Sequence, residues 1–267
     1  MNNNKYKVLV LSDFKKTTYS TLKSGVSLAK MIDAEIELFH VKKHIDIVES
    51  DNQLSALRVL NEEHNNTEKK IKTLINSVSK EYNITIKGNY SFGNVKEEIR
   101  DYLKENTPDI IVIGQRESSP IQLIGDGITR FVLKEFKGII MISANENALE
   151  PNKKMTLGVL NDSNNIYNNK LSKDLLAYAN APLRSFKVID DQNESTQIPN
   201  ADEKKTIEYV FEQTADVMTT ISSYLLKHNI NLLYIDRVEN NKKGTNDTSL
   251  KEVINKLNVS LLLSEAS

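Results

Sequence analysis

The chain contains no cysteine and no tryptophan, and of its 267 residues nine are glycine, five proline and four histidine. Without thiols there is no disulfide framework, no thiolate metal site and no cysteine nucleophile. The histidines, His40, His44, His64 and His228, are scattered, with no pair at metal-ligand spacing on a helix, which speaks against a metal centre. Charge of one sign is lacking too. Lys plus Arg number 35 against 36 Asp plus Glu, a net charge of −1, so no global basic field gathers nucleic acid or anionic lipid. The ten tyrosines show no base-stacking pattern. No apolar run reaches the roughly 18 residues of a membrane span. The expectation is a cytoplasmic protein with neither nucleic acid nor membrane as partner.

What is present is a repeated alternation. The runs KVLVLSD, AEIELFHV, ITIKGNYSF, DIIVIG and GIIMIS are short, rich in β-branched residues and mostly unalternating, as in strands buried on both faces of a parallel sheet. Helix-length segments lie between them. Leu22, Val26, Leu28, Ala29 and Ile32 recur at helical spacing, as do Leu54, Leu57 and Leu60, then Ile71, Leu74, Ile75 and Val78, in the next gap. Asn94 followed by Glu97 reads as an N-cap with a capping acid ahead of Ile99 and Leu103, and FVLKEF belongs to a fourth helix. Alternation of this kind predicts an α/β fold with a doubly wound sheet and right-handed crossovers.

The length exceeds the usual range of roughly 100 to 200 residues for one domain, and the polar stretch ANENALEPNKK separates two halves. We read residues 1–146 and 152–267 as two domains. The second repeats the order of the first: VLVLSD matches TLGVLND, AEIELFHV matches APLRSFKV, YLKENTPDIIVIG matches YLLKHNINLLYID, and TRFVLKEFKGIIMIS matches LKEVINKLNVSLLLS. One stretch differs. Between Val41 and Tyr90 the first half accommodates a long amphipathic helix, whereas the shorter, polar interval from Val188 to Tyr209 has no room for one. The second domain is expected to be reduced, with one sheet face covered by something else or partly bare.

Catalytic signatures are missing: no G-x4-G-K-[ST], no G-x-G-x2-G after the first strand, no G-x-S-x-G elbow and no paired acid and base. The stretch GQRESSPIQLIGDGITR, residues 114–130, nevertheless holds three of the nine glycines and leads into a helix, where backbone N–H groups could face an anion.

In order and spacing, Ser12-Asp13-Phe14 after the first strand, His40-Val41 ending the second, Phe92-Gly93 before the third helix, DIIVIG, and the glycine-bearing loop before the last helix resemble the universal stress protein family in its tandem two-domain form. The resemblance implies two Rossmann-like (adenine nucleotide alpha hydrolase-like) domains, each with a mainly parallel five-stranded sheet. It further implies a dimer contact through the last strands, GIIMIS and VSLLLS, made here within one chain, or between chains in a homodimer. In nucleotide-binding members an aspartate after the first strand contacts adenine, the end of the second strand frames it, and a G-x2-G-x9-G-[ST] loop holds the phosphates of ATP or AMP with Mg²⁺. Asp13 and Val41 stand at the first two places and Gly114 at the first glycine of the loop. Glu117 replaces the second glycine. Gly125, Asp126, Gly127 and Ile128, followed by Thr129, resemble a variant G-S-G-[IV] loop with aspartate in place of serine, and Arg116 is the nearby loop cation.

Two readings of this loop stand side by side. The glycines can admit phosphate to the N–H groups at the helix start, or the loop is a plain turn in which Asp126 caps the helix and takes those donors itself. A carboxylate about 4 Å from a phosphate charge costs about 4 kcal/mol at an effective dielectric near 20, enough to decide affinity unless Mg²⁺ bridges the two. Asp13 is likewise either an adenine acceptor or, with Ser12, a helix-start cap, and His40 at its strand end reads as structural. In the second half Asp162 has no comparable loop: DRVENNKKGTNDTS has Gly244 alone, and Lys242 and Lys243 read as a solvated pair. The function expected is a stress-response module with adenine nucleotide in the first domain only. The alternative is a nucleotide-free scaffold docking an unknown protein partner around residues 190–205.

Overall fold

The structure, a computed structural model, describes residues 5–43, 53–115, 127–161, 166, 170–180, 182–189, 206–237 and 246–264. The short apolar runs form strands: β1 (Tyr6–Ser12), β2 (Ala34–Lys42), β3 (Ile86–Phe92), β4 (Ile110–Gly114) and β5 (Ile139–Ser143). Between them lie the helices α1 (Thr18–Ile32), α2 (Gln53–Tyr82), α3 (Val95–Asn106) and α4 (Gly127–Glu135). The second half gives β6 (Leu157–Leu160), α5 (Lys170–Tyr178), β7 (Leu183–Ile189), β8 (Thr206–Glu212), α6 (Val217–Lys227), β9 (Leu232–Ile235), α7 (Asn246–Lys256) and β10 (Ser260–Leu263).

Among the described residues ten strands join one sheet in the order β3-β2-β1-β4-β5-β10-β9-β6-β7-β8. Every pair is parallel except β5 with β10, which run antiparallel with Met141 opposite Leu262. Within each half the strand order reverses beside the first strand, between β1 and β4 and between β6 and β9, as in doubly wound folds.

Why the runs are unalternating is visible in the burial. Val8, Val10, Ile110 and Val112 enter a core beneath α1, α2 and α5, while Leu9, Ile111 and Ile113 enter another beneath α3, α4, α6 and α7. The inner strands β4, β5, β6, β9 and β10 are apolar on both sides because helices cover both sides, whereas the edge strands β3 and β8 are largely exposed. The sequence segments at 54–60 and 71–78 belong to one 30-residue helix, α2. Gly88 lets that helix lie close on β3, since a Cβ there would come 2.4 Å from Cδ1 of Ile75.

The seam between the halves is polar as well as apolar. Arg237, just past β9, is buried, and its guanidinium donates to the carbonyls of Phe136 (3.2 Å), Lys137 (3.1 Å) and Gly138 at the end of α4, and to that of Ser264. Gln115, just past β4, reciprocates: its Nε2 donates to the carbonyls of Ile254 (2.9 Å) and Leu257 (3.0 Å) at the end of α7. Residues in repeat-equivalent positions thus reach across the seam in opposite directions. On the outer face α1 packs on α5, and Ser24 and Ser27 of α1 donate to the carbonyls of Leu149 and Glu150 in the connecting stretch.

The interval 190–205, where the second half is expected to lack a helix, lies outside the described residues. At the β8 edge Ile207 and Val210 are exposed, and Lys187 of β7 pairs with Glu208 of β8 at 2.7 Å. No helix among the described residues is long and apolar enough to cross a membrane.

Candidate functional site

A cavity of about 850 Å³ opens at the C-terminal ends of β1, β2 and β4, beside the point where strand order reverses. Clefts at such reversals are where doubly wound sheets hold ligands, because the chain turns away to opposite faces and leaves a crevice. Asp13, Val41, Gly114, Gly127, Ile128 and Thr129 all line it. Arg116 and Gly125, with Glu117 and Asp126, lie outside the described residues, as do Asp162, Lys242, Lys243 and Gly244 of the second half.

Of the two readings of Asp13, the one in which it caps α1 together with Ser12 needs correction. The N-cap is Thr17, which makes no side-chain cap bond. Asp13 instead accepts from the backbone N–H of Lys15 (3.0 Å), and Ser12 Oγ accepts from the N–H of Phe14 (3.2 Å), so both side chains shape the turn after β1 rather than the helix start. Asp13 also receives the Thr18 hydroxyl at 3.5 Å and lies 3.9 Å from the Lys15 ammonium. The turn carries strain. Phe14 has φ of 53°, an unusual conformation for a bulky residue, and its ring meets that of His40 edge-on at 4.6 Å.

His40 is buried at the end of β2, with Nδ1 donating to the carbonyl oxygen of Ser12 across the β1–β2 pair at 2.8 Å. Burial pushes its pKa below the usual histidine value, partly offset by that hydrogen bond. The imidazole therefore stays neutral at pH 7 and fixes the turn that presents Asp13. Gly114 has a packing reason of its own: a Cβ there would stand 2.6 Å from Thr21 Oγ1. The glycine lets α1 approach the end of β4, so its presence is explained before any ligand is considered.

The cations of the site were not found from sequence, where Arg116 alone was named. Lys15, Lys42, Lys43 and Lys96 all line the cavity. Lys42 is engaged with Glu63 at 3.2 Å. Lys96 stands in the first turn of α3, after the N-cap Asn94, and its Nζ lies 3.0 Å from where a Cβ on Gly127 would be. It forms no ion pair among the described residues. A lysine in the first turn of one helix and beside the first residue of another lies at the positive poles of both, a placement that favours an anion between them. The signal was available, since helices that follow parallel strands of one sheet start at the same edge, even with β2 and β1 lying between β3 and β4. Among the described residues, no group of three metal-ligating side chains gathers here or elsewhere.

The sequence model of the universal stress protein family matches residues 6–138. Through that segment the chain belongs to the universal stress protein family. A universal stress protein from Archaeoglobus fulgidus has a similar fold, with a TM-score of 0.69 at 15% identity, over 99% of this chain and 97% of that one. A functionally unknown protein from Pseudomonas aeruginosa aligns with a TM-score of 0.57 at 12% identity, over 97% and 92% of the two chains. No curated protein sequence matches. At these identities the likeness is one of fold, extending over both halves. The universal stress protein segment contains the whole described lining of the cavity.

Proposed function

We propose that this universal stress protein is a cytoplasmic stress-response module of two domains, residues 1–146 and 152–267, whose first domain binds an adenine nucleotide, ATP or AMP. The observation that carries the reading is the convergence of Asp13, Val41, Gly114, Gly127, Ile128 and Thr129 on one cavity that Lys96 also lines. Its volume, about 850 Å³, falls within the roughly 300 to 1,000 Å³ of small-molecule sites. Asp13 supplies an acceptor for an exocyclic amino group, Val41 a partly exposed strand end for a base edge, and Lys96 with the start of α4 a cationic end for phosphate. Mg²⁺ would arrive with the phosphates, because the lining provides one carboxylate among the described residues, that of Asp13. No step of bond chemistry is assigned to these residues.

Calorimetric titration with ATP, with and without Mg²⁺, and with adenosine tests this. Heat with ATP and much weaker heat with adenosine is the expected result. Silence with all of them at millimolar concentration would overturn it. The second reading, a nucleotide-free interaction scaffold, is favoured by exposed Ile207 and Val210 on the β8 edge. It predicts that a chain lacking residues 190–205 loses protein partners, and retention of every partner would remove its basis.

A further inference from the structure

A second recess, about 600 Å³, lies between the start of α1 and the middle of α2. Lys15 and Lys16 reach it from one side and Lys69 and Lys70 from the other, and among the described residues its lining contains no carboxylate. In a chain with a net charge of −1 this is a local excess of four positive charges. The surroundings do not quench it. On the same helix Lys72 is paired with Glu68 at 2.7 Å, and Glu63 is taken by Lys42 at 3.2 Å. Positions three and four residues from Lys69 and Lys70 are occupied by Asn65, Asn66, Thr67, Lys72, Thr73 and Leu74, none of them acidic. Lys16, Lys69 and Lys70 form no ion pair among the described residues, and Lys15 has only the 3.9 Å contact with Asp13. Glu81, beyond the recess, accepts from the Tyr19 hydroxyl.

From this geometry we infer that the recess between α1 and α2 is a second anion site, for a small phosphate-bearing ligand. Four lysines lining one groove repel each other, and an anion carrying two or more charges relieves that repulsion while accepting from several of them. Hydroxyls of Thr73 and Ser77 add donors, and Phe14 and Leu74 provide an apolar wall for whatever carries the phosphate. The size suits a metabolite rather than a polymer. Lys15 and Thr18 also line the larger cavity, so the two recesses share a wall and an occupant of one bears on the other.

The test is titration of the full chain with pyrophosphate at constant ionic strength, followed by calorimetry and by amide chemical shifts. A double variant, Lys69→Gln with Lys70→Gln, is expected to weaken binding about tenfold or more, on the scale of one charge-assisted hydrogen bond. Lys72→Gln on the same helix and Lys96→Ala in the larger cavity are expected to leave it within about twofold, since a tenfold change corresponds to about 1.4 kcal/mol. Saturation by inorganic phosphate or by a sugar phosphate in parallel arms tells a free anion from one carried on a metabolite, and either supports the site. Absence of saturation in all arms overturns it. So does equal weakening by Lys72→Gln, which would mark a general charge effect, or loss only in Lys96→Ala, which would place the anion in the larger cavity. Lys69→Gln alone, at an exposed position, serves if the double variant changes the circular dichroism.

Discussion

At the scale of single residues, His40 and Lys96 act on the same cavity in different ways. His40 is neutral when buried, so the unfolded chain binds more protons than the folded one as pH falls through the ordinary histidine range. Its contribution to stability is complete above about pH 6.5 and is lost below it, toward the depressed folded value. Urea midpoints taken between pH 7.5 and 5.5 should therefore fall with pH in the native chain, and the slope should flatten in His40→Asn. An unchanged slope would assign the proton uptake to another group. Lys96 is exposed and contributes little to stability, so Lys96→Ala should leave the urea midpoint in place. The same change should weaken ATP about tenfold, on the scale of about 1.5 kcal/mol for a charged hydrogen bond. Adenosine binding should not move, and calorimetry with both ligands reads the difference.

At the scale of elements, α3 shows what a local signal can and cannot tell. Asn94 as N-cap was legible in the sequence, and its side chain does accept from the N–H of Lys96 at 3.1 Å. Asn94→Ala should cost about 1 kcal/mol in a urea titration. It should also weaken ATP, because the cap sets the first turn that carries Lys96. A stability loss without a change in affinity would separate the two roles. The strands were equally legible, because burial on both faces leaves a composition that few other arrangements require. What was not legible came from pairs of elements. Nothing adjacent to Gly114 in sequence shows that Thr21 of α1 would occupy the space of its missing side chain. Nothing local to Lys96 says that it meets the start of α4, more than thirty residues on. Of the two readings of the turn after β1, the helix cap fails for a related reason: Ser12 and Asp13 are common capping types, but the helix starts late, at Thr18, and their bonds close the turn instead.

At the scale of the whole molecule, the seam is where the two halves become one sheet. The family resemblance implied that the last strands would be neighbours, but it gave no hint of Arg237 and Gln115, whose partners are main-chain carbonyls. Removing a buried guanidinium leaves several carbonyls without donors at once. Arg237→Ala should lower stability by about 3 kcal/mol or more, and Gln115→Ala by about 1 kcal/mol. Thermal unfolding by calorimetry should show a single transition in the native chain and a broadened or split one in Arg237→Ala. A sharp single transition in that variant would mean that strand pairing alone couples the halves. Because β5 and β10 belong to one polypeptide, the pairing cannot be diluted apart, and its stoichiometry is set at synthesis. Two identical subunits must keep any site on both copies, since one gene encodes both. Here a substitution falls on one half only, so the cavity beside β1 can be retained while the corresponding edge of β6 drifts, with the shared sheet still holding both in place.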